Sequence, residues 1–123
     1  MCILVVEDDA TLGRAFVMQM TKLGYVADLA VSAAEALEKF GKRTYDLVFM
    51  DVGLPDKDGL ELTEELRKKK TNGSLPIIGV TAGYATREQC MKSGMSDFFQ
   101  KPLLYDQLRE IIDKFEPKNC VKC

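Results

Sequence analysis

A doubly wound α/β fold, a parallel sheet with helices on both faces, is what this 123-residue sequence predicts. Three observations carry that expectation. Residues 3–6, 47–50 and 76–80 are short runs without helical spacing or polar alternation, as in strands buried on both faces. They alternate with amphipathic segments of helical period, giving five strands and five helices. The connections are short, with no repeat and no low-complexity stretch. Such alternation calls for parallel strands joined by right-handed crossovers, in three layers.

In chain order, the β-branched run 3–6 ends in Glu7-Asp8-Asp9. A helix follows through Leu12, Phe16, Met20 and Leu23 and closes at Gly24, a favoured residue past a helix end. Residues 25–31 read as the second strand. Ser32-Ala33-Ala34-Glu35 is a capping-box pattern that opens a helix through Leu37 and Phe40. The run 47–50 ends in Asp51 and the breaker-rich Val52-Gly53-Leu54-Pro55-Asp56-Lys57-Asp58-Gly59. From Asp58-Gly59 a helix carries Leu62 and Leu66 to the basic run 67–70, which reads as a solvated helix end rather than a binding patch. Asn72-Gly73-Ser74 is a turn, and the fourth strand runs into Thr81. Thr86-Arg87-Glu88-Gln89 is a second capping-box pattern, opening a short helix that stops at Gly94. Asp97-Phe98-Phe99-Gln100 is a fifth strand, whose two phenylalanines face opposite ways, followed by Lys101-Pro102. The last helix spaces Leu104, Leu108, Ile111, Ile112 and Phe115 and stops before Pro117. The domain is expected over residues 1–116, with 117–123 a poorly ordered tail.

Composition narrows the function classes. Apolar residues make up 46% and charged ones 29%, as in an ordinary globule, and the net charge of −2 gives no nucleic-acid footprint. No apolar run approaches a membrane span and no secretory pattern precedes Ile3, so no direct membrane contact is expected. With no histidine, Ser-His-Asp chemistry, His-based metal sites and a histidine phosphocarrier are all excluded from this sequence. The four cysteines read as reduced, which makes the cytoplasm the expected compartment. Cys2 and Cys90 read as small core residues, and Cys120-x-x-Cys123 lacks the context of a redox or zinc motif.

In a doubly wound sheet the carboxyl ends of all strands share one rim, where ligands bind. Glu7, Asp8, Asp51, Thr81 and Lys101 each follow a strand-like run and so meet there. Carboxylates in one crevice repel each other unless a cation joins them. Mg2+, with Mn2+ as a substitute, suits hard oxygen ligands from one or two carboxylates and phosphate. A rim lysine holds a phosphate oxygen as a point charge, and a threonine hydroxyl adds a hydrogen bond. These parts suit phosphoryl transfer, with Asp51 the best placed nucleophile for an aspartyl-phosphate. Asp9, Asp56 and Asp58 read instead as solvent, turn or cap groups, and the Met18/Met20 pair as helix packing.

The motifs Ile3-Leu4-Val5-Val6-Glu7-Asp8, Met50-Asp51-Val52-Gly53-Leu54-Pro55, Asp58-Gly59, Thr81-Ala82 and Lys101-Pro102 occur in that order. In this they resemble the receiver domain of two-component response regulators, across residues 2–116. The resemblance implies a flavodoxin-like (βα)5 sandwich with strand order 2-1-3-4-5. It implies that Asp51 takes a phosphoryl group from a phosphohistidine on a histidine kinase or phosphotransfer domain. By the same likeness Asp8 binds Mg2+ directly, Glu7 through water, and the Gly53 carbonyl is a further ligand. Thr81 and Lys101 contact the phosphoryl oxygens, the Lys101-Pro102 bond is cis, and Phe98 is the switch aromatic, paired in that role with Thr81. The helix 4–strand 5–helix 5 face is the family's usual partner surface, so a monomer or a weak homodimer through it is expected.

Glu at the first acidic position, and the segment 94–103 with Cys90 upstream, resemble receivers fused to hybrid sensor kinases. A receiver of a hybrid sensor histidine kinase is therefore the leading expectation, and a single-domain regulator the alternative. No enzyme activity of its own is expected beyond self-phosphorylation and autodephosphorylation. No helix-turn-helix follows, so no direct transcriptional output is expected. A magnesium-dependent phosphatase on a similar fold lacks a general acid for its leaving group. A flavin or dinucleotide module needs a phosphate loop where Glu7-Asp8-Asp9 repels phosphate.

Overall fold

The apolar runs become the strands of one parallel sheet. The computed structural model describes residues 2–69, 75–83, 86–101 and 103–115. In it β1 (Cys2–Val6), α1 (Ala10–Lys22), β2 (Val26–Ala30), α2 (Ala33–Lys42) and β3 (Leu47–Asp51) alternate as expected. They are followed by α3 (Gly59–Lys69), β4 (Ile77–Thr81), α4 (Arg87–Ser93), β5 (Asp97–Gln100) and α5 (Tyr105–Phe115). The strand order is β2-β1-β3-β4-β5, the flavodoxin-like order. Every pairing is parallel, with Val6 beside Met50, Asp51 beside Val80 and Thr81 beside Gln100.

The sheet separates two cores. Leu4, Val48, Met50 and Ile77 pack against α2, α3 and α4 through Ala36, Leu62, Leu66 and Cys90. On the other face Ile3, Val5, Phe49, Ile78 and Val80 meet Met20 of α1 and Leu108, Ile111 and Ile112 of α5. Strands β1, β3 and β4 are buried along their whole length, which is why their sequences are continuous apolar runs. Fully burying one such side chain is worth about 1.5–3 kcal/mol.

Local sequence sets the helix ends. The Asp9 carboxylate accepts the Thr11 and Leu12 amides at 3.0 and 3.1 Å and caps α1. Ser32 Oγ accepts the Glu35 amide at 3.1 Å, and Thr86 and Gln89 form a complete capping box on α4. Gly24 and Gly94 take positive φ, 93° and 108°, past the ends of α1 and α4. A less local device opens α3. A Cβ on Gly59 would collide with the Asp51 carbonyl oxygen and lie 2.7 Å from the Val52 Cα. Only glycine lets α3 begin this close to the end of β3.

The structure departs from the sequence reading at several residues. Arg67 does not end in solvent: its Nε donates to the Gly94 carbonyl at 2.9 Å and its Nη2 to Ser96 Oγ at 3.4 Å. Met20 is core as expected, whereas Met18 is exposed, because the pair faces two sides of α1. Asp56 is a cap group, one of the roles expected of it, but for a helix distant in sequence: it accepts the Ala33 and Ala34 amides at 2.9 and 3.1 Å at the start of α2 from the loop after β3. Cys2 and Cys90 are buried as expected. Cys2 is disulfide-bonded, however, which corrects the reading of four reduced thiols; its partner lies outside the described residues, and Cys90 is free. The Asn72-Gly73-Ser74 turn, the tail with Cys120 and Cys123, and Pro102 with its expected cis bond also lie outside them. Among the described residues no helix is long and apolar enough to cross a membrane.

Candidate functional site

The carboxyl ends of β1, β3, β4 and β5 bring the site together. Backbone bonds set the frame, from the Glu7 amide to the Ala30 carbonyl at 2.9 Å and from the Lys101 amide to the Thr81 carbonyl at 2.8 Å. On that frame the carboxylate oxygens of Glu7, Asp8 and Asp51 lie within 4.8 Å of one another. Glu7 and Asp51 are buried, and Asp8 is exposed. Lys101 Nζ reaches both buried acids, at 2.7 Å from Glu7 Oε1 and 3.3 Å from Asp51 Oδ2. Backbone amides take the other oxygens: Asp9 N donates to Glu7 Oε2 at 3.2 Å and Gly53 N to Asp51 Oδ1 at 3.0 Å. Thr81, fully buried, ends the neighbouring strand, and its Oγ1 accepts the Gly83 amide at 3.3 Å.

The charges are unevenly held. Burial, reinforced by Asp51, pushes the Glu7 carboxyl up to about 7, against the pull of Lys101 and the Asp9 amide. Burial also opposes the charge of Asp51. Hydrogen bonding with the Asp8 and Glu7 side chains and from the Gly53 amide, with the charge of Lys101, outweighs it and keeps Asp51 below the usual carboxylate value. Burial disfavours the Lys101 ammonium too, but Glu7 and Asp51 more than compensate and raise its pKa. A cavity of about 230 Å³, walled by Leu12, Phe16, Phe49 and Leu103, has Glu7, Asp51 and Lys101 in its lining. Asp51 is thus held in its ionised form, and Glu7 keeps its proton up to near neutrality.

The donor set fits a small divalent cation. Mg2+ takes oxygens at about 2.0–2.1 Å, so opposed ligands stand about 4.2 Å apart, close to the spread of the carboxylates. An ion there would favour the charged form of Glu7, which burial and the neighbouring Asp51 disfavour. Lys101 supplies a single positive charge against three acidic side chains.

The family model for the response regulator receiver domain matches residues 3–113. This chain belongs to that family. Sensor protein EvgS of Escherichia coli K12 is 39% identical over 109 residues, covering 87% of this receiver. Sensor histidine kinase RcsC of Salmonella typhi is 35% identical over 114 residues, covering 91% of it. This receiver spans only 9% and 12% of the lengths of those two proteins. Among solved structures, the receiver domain of sensor histidine kinase PA1611 from Pseudomonas aeruginosa PAO1 superposes with a TM-score of 0.84 at 31% identity. The match covers 93% of this receiver and 95% of that chain, which holds a magnesium ion in its active-site cleft. The protein is a two-component receiver, homologous to receivers carried by sensor histidine kinases.

Of the residues singled out in sequence, Glu7, Asp8, Asp51 and Lys101 meet directly in this receiver, with Thr81 at the adjoining strand end. Gly53 is exposed and turns its amide toward Asp51. Phe98 stands apart on β5, half-buried against the α4 side of the sheet, with the Arg87 guanidinium 5.9 Å from its ring centroid. Asp56 carries no sequence signal beyond breaker content, because its partners are backbone amides of α2, and the Asp58-Gly59 motif marks Gly59 without revealing its close approach to the Asp51 backbone.

Proposed function

We propose that this receiver is a phosphoacceptor, with Asp51 taking the phosphoryl group of a phosphohistidine on a histidine kinase or phosphotransfer domain. The observation that carries the reading is one buried, ionised carboxylate held between two acids and a lysine at the end of the central strand. An oxygen of Asp51 attacks phosphorus, the phosphorus–nitrogen bond breaks, and the electron pair leaves with the imidazole nitrogen, which takes up a proton. Glu7, Asp8, Asp51 and the Gly53 carbonyl would hold Mg2+ or Mn2+, with Glu7 acting through water. When bound, the ion neutralises charge that gathers on the phosphoryl oxygens. Lys101 and the Thr81 hydroxyl receive the other phosphoryl oxygens, Lys101 leaving its contact with Glu7 to do so. Thr81 and Phe98 carry the switch. Phe98 has no phenolic hydroxyl, so the switch works by ring packing alone.

The domain is residues 1–116, and its whole protein is a hybrid sensor histidine kinase rather than a single-domain regulator. The identity to EvgS and RcsC supports that choice. The receiver acts in the cytoplasm, contacts neither nucleic acid nor membrane, and is a monomer or a weak dimer through the α4–β5–α5 face. The Cys2 disulfide is the feature that runs against that compartment.

Intact-mass spectrometry with acetyl phosphate tests the assignment. One phosphoryl group is expected on the wild type with Mg2+, and none after chelation or in Asp51→Asn. An adduct that persists in Asp51→Asn removes the nucleophile assignment.

A further inference from the structure

Helix α4 is fastened at both ends by arginines, and the two fastenings differ in kind. At its C-terminal end Arg67 of α3 bonds the Gly94 carbonyl and Ser96 Oγ, while Cys90 and Ser93 are buried. At its N-terminal end the fastening lies at the surface. Arg87 Nη1 meets Asp97 Oδ1 at 3.0 Å, Nη2 donates to the Phe98 carbonyl at 3.4 Å, and the guanidinium faces the Phe98 ring. Lys114 of α5 reaches the other Asp97 oxygen at 3.6 Å. Asp97 therefore ties α4 and α5 across β5, and Arg87 closes over Phe98.

Phe98 pairs in register with Gly79 of β4, which offers no side chain. Thr81 is two residues further along β4, so it shares a sheet face with Gly79 and adjoins the site. The proposed contact of Thr81 with a phosphoryl group on Asp51 therefore lies on the sheet face that carries the Phe98 ring.

We propose that Arg87 is a positioning residue of the unphosphorylated state, a releasable latch that holds α4 and Phe98 in the arrangement seen here. This rests on Asp51 being the phosphoacceptor. A contact made in one of two conformations biases their equilibrium by its own free energy, so loss of the latch favours the phosphorylated arrangement. Arg87 is 60% exposed, so its ion pair is weak and the bias modest. A weak outer contact suits a latch, and the inner Arg67 contact serves as the pivot.

The test uses Arg87→Ala, Asp97→Asn, their double variant and Arg87→Lys. Initial rates of labelling by acetyl phosphate with Mg2+ are read beside NMR signals of the Phe98 ring and α4 amides without phosphodonor. Arg87→Ala is expected to label on the order of threefold faster. Its Phe98 and α4 signals should move toward those of labelled wild type. Asp97→Asn, which also releases Lys114, should shift in the same direction, and the double variant should fall short of the sum of the two because the Arg87–Asp97 pair is lost in both, while Arg87→Lys, which keeps the ion pair but not the planar contact, changes less. Wild-type rates together with wild-type Phe98 signals in both Arg87→Ala and Asp97→Asn overturn the proposal. If wild type fails to label at Asp51, the phosphoacceptor reading falls, while the Phe98 signals still decide whether Arg87 holds the ring.

Discussion

Glu7 is the residue at which burial and a neighbouring carboxylate act together against a charge, and its pKa of about 7 has two consequences. The folded chain holds a proton on Glu7 between 4.5 and about 7 that the unfolded chain has lost. Stability from this group is therefore complete below 4.5 and is lost as pH rises through about 7. Asp51 is depressed instead, so its contribution is present above the unfolded value of 3.8 and is lost as pH falls below that. The two windows do not overlap. Metal-free protein should thus melt at a lower temperature at pH 7.5 than at pH 5.5, and Glu7→Gln should flatten that slope in scanning calorimetry. Mg2+ binding draws on the carboxylate form of Glu7, so its affinity should climb by up to about tenfold per pH unit below pH 7. Isothermal titration at pH 6 and pH 8 checks this. A pH-independent affinity in the wild type would mean that Glu7 takes no part.

At the scale of elements, the loop from β3 to α3 is held at three points along its length. Its start is tied by Gly53 to the Asp51 carboxylate, its middle by Asp56 to the N-terminus of α2, and its end by the contact of Gly59 with the Asp51 backbone. Gly59→Ala forces backbone against backbone, so it should cost about 1–3 kcal/mol in urea denaturation. It should also slow the labelling of Asp51, since the residue displaced is the site's own strand end. Unchanged labelling with reduced stability would separate the loop from the chemistry. What could be read from the sequence divides along the same line. Strands buried on both faces write themselves as apolar runs, and the Ser32 and Thr86 caps lie within three residues of their partners. Those elements were legible. Asp56 to Ala33 and Arg67 to Gly94 span 23 and 27 residues, and at such separations a polar residue looks the same whether solvated or bonded. The acids of the site could be read because each follows a strand, and strand ends share a rim. Arg87 had only its place in a capping pattern to mark it.

For the whole molecule, the acidic cluster is a product of folding. Glu7 and Asp8 follow β1, Asp51 ends β3, and a helix-strand-helix unit separates them in sequence. An unfolded chain does not gather them, so a divalent ion binds the native state alone and adds RT ln(1 + [L]/Kd) to its stability. Mg2+ at a hundredfold excess over Kd should therefore add about 2.7 kcal/mol, read as a melting temperature that climbs with log[Mg2+]. Asp8→Asn removes the exposed carboxylate without disturbing the Lys101 contacts to Glu7 and Asp51, so its metal-free melting should stay near wild type while the Mg2+ response shrinks. Sodium chloride at matched ionic strength separates binding from screening, because exposed pairs such as Lys42–Glu38 respond to any salt. If sodium and magnesium shift the melting temperature equally, in wild type and Asp8→Asn alike, the carboxylates share no ion and the stabilisation is only screening.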